Sequence, residues 1–308
     1  MLMRAHELAT LLPYRQTSEV LKRWGVDLGK SLLCNLNEKL NQATQAQGSR
    51  KLSELAQEPL FSRSYSGKTW IIEVDGKFVP VWTEEQEKKL EWREVKTAVL
   101  YPRRAPSERY YVSHLGSHEP FSQCVHGLLR HAGVKQEDRL IGLSDGALWI
   151  ASLMGDLGVH RHILDVYHAS TYFETLLLGL AWSEPERERE RRALLRGEID
   201  VQTWLNQHVP VGTVLNEEAR AALLYLNKQA LLEHTCYPRF RAEGLEVIGS
   251  GQIEGANKSV IGGRLNISGA HWSEEGAQGM VFVRAQYHSH RALTDFHDVR
   301  RRAFPKAA

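Results

Sequence analysis

Apolar positions recur every three or four residues across residues 1–46, as in "SEVLKRWGVDLGKSLLCNLNEKLNQATQ", and this spacing predicts helices. Ser18 is placed to cap one helix and Gly25 to break it. Two helices across a short turn suit a DNA-binding helix-turn-helix and equally any small helical bundle. Residues 47–67 read as a connector. The pattern then becomes β-branched and aromatic: "KTWIIEVDGKFVPVW", "EWREVKTAVLYP" and "RYYVSHLGS" predict three strands. "EPFSQCVHGLLRHAG" returns to helical spacing, and "DRLIGLSDGA" is a short apolar run ending in turn residues. "ALWIASLMGDLG" predicts a helix with a glycine stop; "HRHILDVYH" predicts a strand, followed by a helix from about Ala169 to Trp182. Three strands followed by alternating helix and strand predict an α/β domain with a mixed sheet.

Residues 183–240 interrupt that alternation. "SEPERERERRALLRGEID" predicts a solvated helix laced with ion pairs one turn apart, and "NEEARAALLYLNKQALLEH" an amphipathic one. The expected organisation is therefore an N-terminal helical region (1–46), a connector (47–67), the first part of an α/β core (68–182), a helical insertion (183–240) and a completion of the core (241–308). The last segment opens on the glycine-punctuated "GSGQIEGANKSVIGG" and ends in the basic "VRRRAFPK". There is no internal repeat.

Composition narrows the classes. With 42% hydrophobic and 25% charged residues among 308, the chain is globular rather than disordered. No apolar run is long enough to span a bilayer, and the start lacks the h-region and cleavage site of a secretory leader. The three cysteines (Cys34, Cys124, Cys236) are far apart with no CxxC, which argues against a zinc knuckle or redox pair and fits a reducing cytoplasm. A net charge of +2 leaves nucleic acid open as a partner, because clustered basic groups act locally.

Three carboxylates stand where chemistry is plausible. Asp75 ends the run "WIIEVD" before Gly76; Asp-Gly there suits a hairpin tip. Two further strands can supply the sheet partners, however. "TWIIEVDGKFVPV" is then one long strand with Asp75 in mid-sheet, a costly place unless paired or metal-bound, and Gly76 is a bulge or a point of close approach. Asp145 follows the fourth predicted strand, at the carboxyl edge that α/β sheets favour for ligands; a helix cap is the plainer alternative. Glu254 falls in the first turn of a helix, where the macrodipole favours an acid, and Lys258 shares its face. Two strand-borne aspartates and a helix-borne glutamate suit phosphodiester chemistry with two hard divalent ions.

The residues "VDGKFVPV", "WREVK", "SDGALWI", "ILDVYHA" and "GSGQIEGANKSVIGGRLNISGAHW" together resemble the DDE transposases of the Kra-type bacterial insertion sequences, allied to the Mutator group. They extend over residues 68 to about 290. The resemblance implies a ribonuclease-H-like α/β fold with a mixed five-stranded sheet of order 3-2-1-4-5, a helical insertion and an N-terminal helical region. It implies Asp75, Asp145 and Glu254 as catalytic residues and ligands of two Mg²⁺ (or Mn²⁺) ions. It further implies cleavage at transposon ends, strand transfer into target DNA, a homo-oligomeric synaptic complex, no membrane partner, and a nucleoid-associated place in the cytoplasm. The 109 positions between Asp145 and Glu254 (254 − 145) leave room for the insertion. "DVYH" matches the Mutator group's motif of Cys or Asp, two residues, then His, on Asp165 and His168. Two departures stand out: the segment after the glutamate is less basic than the family's, and the amino terminus is shorter. A nuclease of the same fold without strand transfer, and an inactive DNA-binding remnant, are the alternatives.

Adjacent strands lie about 4.8 Å apart, so Asp145 on the fourth strand is favoured over Asp165 on the fifth as the partner of Asp75. Asp165 and His168 are then expected as a hydrogen-bonded brace. His160 and His162, two apart on one strand face, could chelate a transition metal, but no further ligand obviously completes that site. Lys258 and Arg264 are expected to meet DNA phosphates. Trp272 is expected in the core or stacked on a DNA base.

Overall fold

The computed structural model describes residues 1–57, 65–82 and 89–305. Its sheet contains β1 (Thr69–Trp82), β2 (Leu90–Pro102), β3 (Tyr110–Leu115), β4 (Arg139–Ser144), β5 (Arg161–Leu164) and the short β6 (Trp272–Ser273). The strand order is β3-β2-β1-β4-β5, and β6 pairs separately with β1. β2 and β3 are antiparallel, with Thr97 opposite Ser113, whereas β4 and β5 are parallel, with Gly142 opposite His162. The expected order and the mixed character are both present; the sixth strand, parallel to β1 through Val81 and Trp272, was not anticipated. β1 runs unbroken through Asp75 and Gly76, so the Asp-Gly pair is not a hairpin tip. A side chain at Gly76 would collide with the Glu94 carboxylate, which Lys96 holds. β4 is buried along almost its whole length, as an apolar run in the middle of a sheet should be.

The chain divides into two compact units. Unit one comprises Met1–Trp70, Val74–Arg139 and Gln252–Ala308. Its helices are α1 (Leu2–Leu11), α2 (Tyr14–Arg23), α3 (Lys30–Ala56) and α4 (His118–Ala132). Unit two comprises Ile71–Glu73 and Leu140–Gly251. It holds α5 (Leu148–Asp156), α6 (Val166–Gly179), α7 (Glu184–Leu195), α8 (Val201–His208), α9 (Glu217–Leu231) and α10 (Tyr237–Ala242). After these, α11 (Gly251–Ala256) leads into a π-helical turn (Asn257–Gly262), and α12 (Gly263–Leu265), α13 (Glu274–His288) and α14 (Phe296–Ala303) follow.

Two local expectations change. Ser18 lies inside α2 and donates to the Leu28 carbonyl (2.6 Å) instead of capping, whereas Gly25 does follow the helix end, at φ +79°. α3 continues through residue 56, so the first ten residues of the supposed connector are helical, and residues 58–64 of it lie outside the described residues. α3 buries Leu33, Leu40 and Leu52 against its neighbours, and Gly127 of α4 lets the two backbones approach where a side chain would strike the Leu52 carbonyl. That packing makes α3 a strut of unit one. The charge run behaves as its pattern suggests: Ser183 and Glu186 form a capping box for α7, and Arg192 bonds Glu188 at 2.6 Å. No described helix is long and apolar enough to cross a membrane.

Candidate functional site

Within unit one, the second half of β1 is stitched to the segment after Glu254. Asn257 Nδ2 donates to Asp75 Oδ2 at 2.6 Å, Asn266 Nδ2 donates to the Phe78 carbonyl at 3.2 Å, and Val81 pairs with Trp272. The other Asp75 oxygen accepts the Gly76 amide at 2.8 Å. Asn257 lies three positions past Glu254, one helical turn, so the helix bearing the exposed Glu254 is held in register with Asp75. Asn257 is 7% exposed, and its Oδ1 has no hydrogen-bond partner among the described residues. A buried carbonyl oxygen left unpaired costs about 1–3 kcal/mol. The helix also changes to π geometry at Asn257, a form often found at functional positions.

Two arginines tie this segment to α1. Arg284 of α13, 4% exposed, donates through Nε to the Val260 carbonyl (2.6 Å) and through its two terminal nitrogens to the carbonyls of Thr10 and Ser259. It therefore meets carbonyls of the π turn and of the last turn of α1 together, where positive charge is favoured. Burial and the neighbouring Arg264 pull its pKa down to about 10. Arg264 is 3% exposed; its Nε reaches the Ala9 carbonyl (3.3 Å), and its guanidinium lies 4.6 Å from the Tyr14 ring and 4.9 Å from the Trp272 ring. Arg264, expected at DNA phosphates, is thus an interior residue, and Trp272, expected in the core or stacked on a base, is its buried partner. The desolvated guanidinium is stabilised by two ring faces, a contact that sequence spacing cannot display. Lys258, by contrast, is exposed.

Within unit two, Asp145 occupies a tight loop after β4. One carboxylate oxygen accepts the Ala147 amide at 3.0 Å, in the manner of a short cap. α9 fastens the loop backbone: the Tyr225 hydroxyl donates to the Asp145 carbonyl and Gln229 Nε2 to the Gly146 carbonyl at 3.2 Å. Gly146 has φ +79°, and a Cβ there would stand 2.6 Å from Gln229 Nε2 and 2.9 Å from the Tyr225 hydroxyl. Glycine is required both by conformation and by space. Tyr225 stacks on Tyr172 at 4.0 Å and meets His168 edge-on at 6.0 Å. Burial raises the Tyr225 pKa far enough to keep the hydroxyl a donor.

Asp165 is not in a strand. It is the N-cap of α6, accepting the Tyr167 amide (2.8 Å) on one oxygen and the Ser250 hydroxyl on the other. Capping makes α6 begin at Val166, three residues before the predicted start. The expected Asp165–His168 hydrogen bond is absent: His168 faces the tyrosine pair instead. Both oxygens of Asp165 have protein donors, whereas among the described residues one oxygen of Asp145 does. His162 is paired with Ser144 (2.8 Å) and packs 4.1 Å from His234, whose Nδ1 meets Gln229 Oε1 at 2.8 Å. Burial, and then His234, push the His162 pKa down to about 3; burial also lowers that of His234. These rings are neutral packing and hydrogen-bonding partners behind the Asp145 loop. Gln229, Tyr225, Asn257 and Arg284 were missed in the sequence, where each is one polar residue on an otherwise ordinary helix.

Carboxylate and amide oxygens, with no thiolate, suit a hard divalent cation, and the orphaned Asn257 Oδ1 beside Asp75 is a group such an ion could satisfy. Among the described residues no group of three or more His, Cys, Asp and Glu side chains is gathered as a metal site. Any ion would have to draw its ligands together. No protein-family model and no curated protein matches this chain.

Proposed function

We propose that this protein is a DDE-type transposase with a ribonuclease-H-like core, cutting DNA at the ends of a mobile element and joining them to a target. One observation carries this: the 3-2-1-4-5 sheet places an aspartate on its central strand and another just after the adjacent strand, while the glutamate's helix is hydrogen-bonded back to the first. Asp75, Asp145 and Glu254 would hold two Mg²⁺ or Mn²⁺ ions. When bound, such ions activate the attacking hydroxyl and stabilise the leaving oxygen of an in-line displacement. The protein's own part is positional. Asn257 orients Asp75, while Tyr225 and Gln229 hold the Asp145 loop; Asp165 serves the fold as a cap. The exposed Lys258, Arg300, Arg301 and Arg302 would neutralise phosphates and make binding fall with salt. Lys306 of the basic tail lies outside the described residues. Two ends cut together call for a homo-oligomer acting on nucleoid DNA in the cytoplasm.

The test is cation-dependent cleavage of end DNA followed by joining to a supercoiled plasmid. Cleavage without joined products leaves a nuclease of the same fold. Among the described residues no three metal-ligating side chains are gathered, which gives one rival, a DNA-binding remnant, a specific basis; end binding without Mg²⁺- or Mn²⁺-dependent cleavage selects it.

A further inference from the structure

We infer that Asn257 is itself a member of the cation site, an amide that turns over when the ion arrives. The inference rests on the reading of Asp75 as a cation ligand. Without a cation, Asn257 presents Nδ2 to the Asp75 carboxylate, the only orientation that an acceptor-only partner tolerates, at 2.6 Å. That choice strands Oδ1 in a buried position with no donor among the described residues. A divalent cation reverses the preference. Rotation about the last side-chain torsion exchanges nitrogen and oxygen, so Oδ1 comes to lie beside Asp75 Oδ2, where both oxygens would be adjacent ligands of one ion. Oxygens in adjacent positions of an octahedral Mg²⁺ shell lie about 3 Å apart. The existing contact is already near that spacing, so little backbone motion is needed. The stitching of β1 to the segment after Glu254 keeps both residues in place during the exchange. A hydrogen-bonded clasp in the free protein thus becomes a pair of neutral and anionic oxygen ligands in the loaded one.

Mn²⁺ binding to the full chain, by calorimetry and by electron paramagnetic resonance, tests this without any DNA. Asn257→Ala should weaken Mn²⁺ binding about tenfold or more. Asn257→Asp puts two carboxylates in contact, so it should melt several degrees below wild type in chelator. Mn²⁺ should then stabilise it more than it stabilises the wild type. Wild-type affinity in Asn257→Ala, or equal Mn²⁺ stabilisation of Asn257→Asp and wild type, overturns the inference. Shifted Mn²⁺ affinities in a protein that never cuts DNA uphold the clasp and sink the transposase reading. Cation-dependent cutting by Asn257→Ala with unchanged Mn²⁺ affinity does the reverse. A wild-type chain that binds no Mn²⁺ ends both.

Discussion

The β1 region of unit one and the β4 loop of unit two both present an aspartate, but they hold it by different means. Asp75 is gripped at the side chain, by an asparagine borne on the helix that carries Glu254. Asp145 is gripped at the backbone: Tyr225 and Gln229 bond the carbonyls of Asp145 and Gly146, and among the described residues the side chain accepts a local amide alone. A side-chain grip sets where the carboxylate points and must yield to a ligand. A backbone grip sets where the residue sits and leaves the carboxylate able to turn. Asp165 is the contrast within unit two, with a donor on each oxygen, which is the condition of a structural cap.

The largest separation is expected between the two aspartates of unit two. Asp145→Asn should reduce cation-dependent end cleavage on the order of a thousandfold, since an ion supplies several kcal/mol to the transition state. Asp165→Asn should leave cleavage nearly intact and lower stability by about 1 kcal/mol through a weakened cap. Cleavage that survives the first change and is lost in the second would exchange the roles assigned to them.

In unit one, Arg284→Met should destabilise the fold by about 3–5 kcal/mol, because the carbonyls of Thr10, Ser259 and Val260 lose their donor in the interior. Denaturant titration reads the loss, and hydrogen exchange should rise first in residues 257–262. Unchanged exchange there would mean that the π turn does not depend on this arginine.

The neutral histidines behind Asp145 should make stability depend on acid. His162 has a folded pKa of about 3 against 6.5 unfolded, so between these values the unfolded chain binds the extra proton. Stability is then full above pH 6.5 and falls as the pH drops toward 3, at up to about 1.4 kcal/mol per pH unit. The lowered pKa of His234 acts in the same direction. Thermal melts of His162→Gln should show a flatter slope between pH 6 and 4; an equal slope assigns the effect to other groups. The smallest effect belongs to Tyr225→Phe, about 1 kcal/mol for one hydrogen bond. Its amide exchange should rise at residues 145–147 and not at Asp75, which separates the backbone grip from the side-chain one.

Much of the architecture was legible in the chain because it depends on local periodicity. β-branched and aromatic runs named β1 to β3, short apolar runs named β4 and β5, and the Glu-Arg run named α7. Start positions were less legible where one side chain decides them. Asp165 moved the start of α6 because a carboxylate in that position satisfies an amide that the strand pattern could not count. Arg264 read as a phosphate contact by residue type; in the fold it is buried, with its guanidinium over the Tyr14 and Trp272 rings.

By itself the sequence determined the order of strands and helices along the chain, the run of helices after residue 183 and the positions of Asp75, Asp145 and Glu254 within them, because these follow from spacing along one chain. Only the tertiary structure decided which polar residues serve those acids. Asn257 reaches Asp75 across 182 positions and Tyr225 reaches the Asp145 carbonyl across 80. Such contacts are set by which helix faces pack on which strand ends, and a buried donor or acceptor takes its partner from whatever packing brings within about 3 Å.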